Sequence, residues 1–406
     1  MTKKFLANDD SVVYLENRED LKKYLDFRKK NDEWLNVYIN EMAAVGIKNE
    51  PLFFPEYCHN IKVRKNGYTI DIPDIDYDNE ENHECIEDTG LFLIFPYKNH
   101  IIPYPTRRIA FASICKRADD DCGTMYRFDV KPNKGVLPID EKAQRLTRDY
   151  LMYSDNCKIL LRDGKVSAAL SKEYAILPAD ELILSLEAQL REDHPDFQFD
   201  KGSVSHEFLM AEYLLNDRSM EETFRLKLND AGADIANLKA GIRFSTSDVG
   251  ASRVYASIFY DADGVRTTLG GGIAMEHKGE ASPEKFGEAM KNLGMVLKEC
   301  EEQIEQLGNI DISDVAGCVD QIREVYTFFP RQIAEAVEED CRKRFPKGGT
   351  AIDVYLALND IIQRHSVQND LTPTRYLNLC EQVAKLMKLP FDKIDAGEWN
   401  GNKNIL

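Results

Sequence analysis

The chain has 406 residues, with 52 Lys and Arg against 70 Asp and Glu and a formal charge of −18 at pH 7. Hydrophobic residues at 43% and charged residues at 30% are the proportions of a globular protein that buries a real core. The acidity excludes a surface that coats duplex DNA over its whole extent, because such binding rests on neutralising phosphates. It leaves one local basic face, or an acidic surface that imitates phosphate.

No apolar run is long enough for a membrane-spanning helix, and the stretch from Met1 to Asp10 lacks the apolar segment of a signal peptide. Leu21, Leu25, Leu35, Tyr38, Ile39 and Met42 fall at helical spacing and predict an opening helix from Asn17 that ends by Gly46. The period then switches. Ile61 to Ile72 alternates around Asn66-Gly67, a strong hairpin signal. Asp71 to Asp88 carries nine acidic residues and no Lys or Arg. From Leu91 to Arg117 the pattern predicts short apolar strands broken by Pro96, Pro103 and Pro105.

Lys158 to Leu170 reads as a hairpin pivoting on Asp163-Gly164, and Arg253 to Tyr260 as a strand that turns at Asp263-Gly264 into a second. Helices are expected near residues 179–192 and 205–230. After residue 282 the chain reads as nearly all helix. Phe286, Met290, Leu293, Leu297, Cys300, Ile304 and Leu307 form a heptad seam, which serves two antiparallel helices of one chain or a homodimer. Ile322 to Cys341 continues it past Pro330, where a kink or a new helix is expected. The class expected is α+β: a mixed or antiparallel sheet core with hairpins, followed by an antiparallel helical C-terminal region. The divisions are 1–150, 151–281, 282–395 and a tail at 396–406.

Nine scattered cysteines, an odd count with no Cys-x-x-Cys, predict reduced thiols in a cytoplasm. Cys58-His59 and His83-Glu84-Cys85 pair sulfur with imidazole, but their spacing is not that of a zinc site, so no metal and no other cofactor is expected. Between residues 91 and 135, eight Lys/Arg stand against four Asp/Glu. Cations interleaved with aromatics suit single-stranded nucleic acid, where phosphates meet charge and bases stack. Tyr97, Lys98, Tyr104, Arg107, Arg108, Lys116 and Arg117 are the candidate contacts. Asp74, Asp76, Asp78, Glu80 and Glu81 alternate as in a calcium loop but lack its Gly and bidentate Glu. They are candidates instead for an acidic surface that binds a partner's basic cleft. Gly270-Gly271-Gly272 reads as a turn or strand bulge. No nucleophile elbow, zinc-protease helix or P-loop is present, so any catalytic site is one the motifs do not reveal.

The stretch Arg162-Asp-Gly164-Lys-Val-Ser-Ala-Ala169-Leu170-Ser171-Lys-Glu-Tyr174-Ala-Ile-Leu177 resembles a bacteriophage and plasmid family defined only as a domain of unknown function. Ser247-Asp-Val-Gly250 is similar to its Ser-x-x-Gly step and His277-Lys-Gly279 to its His-x-Gly element. Gly349 to Asp360 is similar to its terminal helices. Many members carry a Cys-x-Asn-Gly turn where this chain has Gly270-Gly271-Gly272-Ile273. The resemblance covers roughly residues 155–385. It marks Arg162, Gly164, Leu170, Ser171, Tyr174, Ser247, Gly250 and His277, and it implies a mobile-element origin and a host bacterial cytoplasm, with no activity assigned. The expected function is a non-enzymatic accessory protein that binds single-stranded nucleic acid. The alternatives are an anti-defence or host-takeover protein that captures a host nucleoprotein on an acidic surface, and an enzyme.

Overall fold

In a computed structural model, the residues described are 6, 9–38, 42–46, 69–70, 89–97, 100–123, 139–153, 156–230, 235–262, 265–369 and 371–401. They form an α+β fold with antiparallel sheets and a helical C-terminal region. No helix among them is long and apolar enough to cross a membrane.

The largest sheet has six antiparallel strands in the order β1 (Val13–Leu15), β9 (Gln198–Val204), β10 (Leu209–Leu214), β11 (Leu238–Thr246), β12 (Val254–Ala262) and β13 (Val265–Met275). Alternate residues of its strands, such as Leu209, Ala211 and Tyr213 or Ile242 and Phe244, enter the main core. That core also holds α4 (Ala179–Asp193), α5 (Arg218–Asp230), α6 (Pro283–Met290) and α7 (Leu293–Gly308). The intervening residues include the charged Glu212 and Arg243. Arg243 donates to Glu212 at 2.6 Å while both are buried, and its guanidinium lies 5.6 Å from the Tyr376 ring of α11 (Pro373–Lys385). Burial alone would lower the Arg243 pKa, but its neighbours together, Glu212 foremost, raise it and hold the charge.

A second sheet joins β2 (Asp32–Val37) to the hairpin of β7 (Cys157–Arg162) and β8 (Lys165–Ser171). The hairpin turns at Asp163 (φ 52°) and Gly164 (φ 72°), two left-handed residues in succession, as a two-residue turn with Gly at its second position favours. A third sheet orders β3 (Ala43–Gly46), β5 (Leu91–Tyr97), β6 (His100–Pro105) and β4 (Thr69–Ile70), with β4 parallel to β6. Between the second and third sheets lies another core, closed by α2 (Arg108–Arg117) and α3 (Ile139–Tyr153). The other face of the second sheet places Leu160 and Ala168 against Val249, Trp34, Ile109 and Leu170.

Several expectations are corrected. The opening helix, α1 (Arg18–Asn31), is capped by the Asn17 side chain but stops at Asp32, where the chain becomes β2. Arg28 and Arg162 both bind the Asp32 carboxylate there, and Leu35 and Val37 turn into the second core as strand residues. Residues 108–117 form a helix rather than a strand, because Ala110, Phe111, Ile114 and Cys115 gather on one buried face. The helix expected over 205–230 is a strand, β10, followed by α5. The hairpin turn at Asn66-Gly67 lies outside the described residues.

The heptad seam is split at Lys291-Asn292 into α6 and α7. All seven of its residues are at most 7% exposed and lie in the chain's own core, so the seam serves intramolecular packing rather than a dimer. Pro330 starts a new helix, α9 (Arg331–Arg344), after α8 (Val315–Val325). The helices α10 (Ala351–Asn369), α11 and α12 (Phe391–Asp395) complete the region. The glycine triplet is a bulge in β13: the register with β12 shifts there, and a Cβ on Gly272 would come 2.7 Å from the Ala256 carbonyl oxygen.

Candidate functional site

Tyr174 follows β8 and is bridged to Lys278 just beyond β13. Its ring stacks on His277 at 4.9 Å and 5° and on Trp34 at 5.8 Å, and its hydroxyl donates to the Ser247 carbonyl at 3.0 Å. Burial pushes the phenol's pKa up, so it remains a donor. The Ser247 hydroxyl accepts from the Ala251 N–H at 3.1 Å and closes a tight loop. Gly250 takes φ 75° in that loop, and a Cβ there would meet Leu170 Cδ2 at 3.2 Å. Replacing Gly250 by Ala is therefore expected to lower stability by roughly 1–2 kcal/mol, the cost of a left-handed non-glycine residue, read as a lower urea midpoint at unchanged slope.

Beneath this stack, Arg162 Nε and Nη2 donate to the two oxygens of Asp32 at 2.8 and 3.1 Å, and Nη1 donates to the His206 carbonyl at 2.8 Å. Arg28 binds the same Asp32 and also Asp248 of the Ser247 loop. Burial alone would raise the Asp32 pKa, but Arg28 and Arg162 outweigh it and hold the carboxylate below its ordinary range. Of the eight residues marked by the resemblance, Arg162, Leu170, Ser171, Tyr174, Ser247, Gly250 and His277 belong to this stack and its support. Gly164 serves the hairpin turn instead.

The stack forms part of one wall of a cleft of about 1330 Å³. Another part of the lining is α2, which packs on β8. Arg108, Ala112 and Lys116 recur every four residues along it, with Ile109, Ser113 and Arg117 in the adjoining row, and all six line the cleft. The remaining boundary comes from the Val249–Arg253 loop, Glu276–Lys278 and the Asn378, Glu381 and Lys385 positions of α11. Arg108, Lys116, Arg117, Arg253, Lys278 and Lys385 thus face a common space in a chain of net charge −18. Asp9, Asp10, Glu207, Glu276 and Glu381 share it. Asp9 accepts from the buried Arg107 at 2.6 Å, and Glu381 lies 3.4 Å from Arg253. Burial raises the pKa of Glu207 against the pull of Arg108, and that of Glu381 against the pull of Arg253.

The basic-aromatic candidates therefore separate. Arg108, Lys116 and Arg117 line the cleft. Arg107 is 1% exposed at the start of α2, with its guanidinium on Asp9, and Tyr104 is buried on Phe95 at 4.9 Å, so neither side chain is presented to a ligand. Tyr97 is half-buried, and its hydroxyl donates to Glu33. Lys98 lies outside the described residues, as do Asp74, Asp76, Asp78, Glu80 and Glu81 and the Cys58, His59, His83 and Cys85 group. Among the described residues no cluster of His, Cys, Asp and Glu could hold a metal ion. Sequence reasoning missed Arg253, Lys278, Lys385, Glu207 and Glu381, which reach the cleft only through tertiary packing. The adjacency of Lys278 to the marked His277 was the one local signal.

No family model, curated protein or solved structure matches the chain.

Proposed function

We propose that the chain is a non-enzymatic protein that binds single-stranded nucleic acid in this cleft, through phosphate contacts from Arg108, Lys116 and Arg117 of α2 and from Arg253, Lys278 and Lys385. The observation that carries the reading is the convergence of these cations on one cleft of a strongly acidic chain. An extended polyanion suits a volume of about 1330 Å³, which exceeds the roughly 300–1,000 Å³ of an ordinary small-molecule site. Tyr174 and His277 are stacked on each other and largely buried, so base stacking is not the source of affinity here. Charge is. Such a role fits the phage and plasmid setting that the resemblance implies.

Fluorescence anisotropy with labelled oligonucleotides tests the proposal. Micromolar or tighter binding of single strands is expected at about 50 mM salt, weakening steeply by about 200 mM, because counterion release governs phosphate contacts. No binding at the lower salt overturns it.

The cleft carboxylates add a pH dependence. Glu207 and Glu381 have raised pKa values, so on acidification from pH 7 they take up protons before ordinary carboxylates do. Each proton removes a negative charge from the cleft, and affinity for a single strand is expected to rise as pH falls toward 5. Glu207→Gln with Glu381→Gln is expected to bind as tightly at pH 7 as the unaltered chain does at low pH, and to lose most of the pH response. For stability the sign follows from the same shift. A carboxyl whose folded pKa is raised stabilises the fold below its unfolded pKa, and that contribution is lost as pH rises through the folded value.

A further inference from the structure

His277 is fixed on three sides. One ring face lies on Tyr174, Nδ1 sits 3.1 Å from the Ala175 carbonyl oxygen, and the Ala175 N–H donates to the His277 carbonyl at 3.0 Å. A carbonyl oxygen only accepts, so Nδ1 carries the proton and Nε2 is left with a bare lone pair. The residue is 5% exposed, and Nε2 has no hydrogen-bond partner. Burial, partly offset by the Ala175 carbonyl, lowers the pKa, so the ring stays neutral and the lone pair stays available. A buried acceptor without a donor is costly, which is why such atoms are rare unless a ligand completes them. His277 also lines the cleft. With one face covered and the Nδ1 edge engaged, Nε2 is the polar atom of the ring left unpaired beside the cleft.

We propose that His277 Nε2 accepts a hydrogen bond from a neutral donor on the bound strand, and so selects nucleic acid that carries one at this point. This rests on the single-strand reading of the cleft and narrows it to a ligand class. A polynucleotide offers such donors in the ribose 2′-hydroxyl and on its base edges, as the exocyclic amines of adenine, cytosine and guanine and the ring N–H of guanine, uracil and thymine. Phosphate offers none, so the cations of the cleft cannot supply this discrimination. The Nε2 contact is a selectivity element laid over a charge-driven site.

The test is anisotropy of the full chain with four labelled single strands: oligo-rA, oligo-rU, oligo-dA and oligo-dT. The 2′-hydroxyl distinguishes the ribo from the deoxy members, and an exocyclic amine in place of a ring N3–H distinguishes the A from the U or T members. A preference of roughly threefold to tenfold along one of these axes is expected, the worth of one net hydrogen bond. His277→Asn keeps an amide donor for the Ala175 carbonyl but removes the Nε2 acceptor. It is expected to bind all four strands at the level of the unaltered chain's weaker ligands. His277→Gln, which places a carbonyl oxygen near the Nε2 position, is expected to restore part of the preference. Equal binding of all four strands by the unaltered chain, or an unchanged preference in His277→Asn, overturns this inference and leaves nucleic-acid binding intact. Failure of every strand to bind overturns both.

Discussion

Arg162→Ala is expected to destabilise the fold by about 3–5 kcal/mol, the range for breaking a buried ion pair by deleting one partner. Arg162 is 1% exposed and ties three segments together: Asp32 at the start of β2, the His206 carbonyl between β9 and β10, and its own strand β7. Its removal leaves a buried carbonyl without its donor and leaves Asp32 to Arg28, which already serves Asp248. Urea unfolding monitored by circular dichroism measures the loss, and a change below about 1 kcal/mol would contradict the role assigned here. Arg162→Lys is expected to recover only part, because an ammonium cannot span both carboxylate oxygens and a carbonyl at once. The pH sign is also fixed. Because the folded pKa of Asp32 is depressed, its stabilisation is present above the unfolded pKa and is lost as pH falls through the folded one. The acid limb of the stability curve is therefore expected to flatten in Arg162→Ala.

The second large effect concerns binding. Lys116 on α2 and Lys278 beyond β13 are both exposed and both line the cleft. Reversing them together, Lys116→Glu with Lys278→Glu, should leave the fold intact, since neither side chain is buried. Affinity for a single strand is expected to fall about 30-fold, taking roughly 1 kcal/mol for each exposed contact. The salt dependence carries a separate signature. Each phosphate contact to a single strand contributes about 0.7 to the slope of log K against log salt, so loss of two makes it shallower by roughly 1.4. A variant that binds as before, with the same slope, would place the polyanion elsewhere.

What the sequence disclosed, and what it hid, follows from the range of the interactions. The β7–β8 and β12–β13 hairpins were legible because Asp163-Gly164 and Asp263-Gly264 are local turn signals that need no tertiary help. The C-terminal helices were legible from periodicity, although the periodicity of Phe286 to Leu307 could not show that its stripe meets the chain's own core. The end of α1 was hidden because Asp32 is held by Arg162, 130 residues away. Tyr104 and Arg107 looked like ligand contacts because burial cannot be read from an aromatic or an arginine alone. The face of α2 was written in the spacing of Arg108, Ala112 and Lys116, but only once the segment is known to be helical. The rest of the lining draws on the separated stretches 249–253, 276–278 and 378–385, and no local pattern joins them.

The most direct test of the central claim is photocrosslinking of a single-stranded oligonucleotide bearing thiopyrimidines to the intact chain, with the modified peptides identified by mass spectrometry. Crosslinks on the peptides that contain Arg108–Arg117 and Glu276–Gly279, suppressed at high salt and in Lys116→Glu with Lys278→Glu, are the predicted result. Crosslinks confined to peptides that do not line the cleft, or no salt-sensitive crosslink at all, would contradict it.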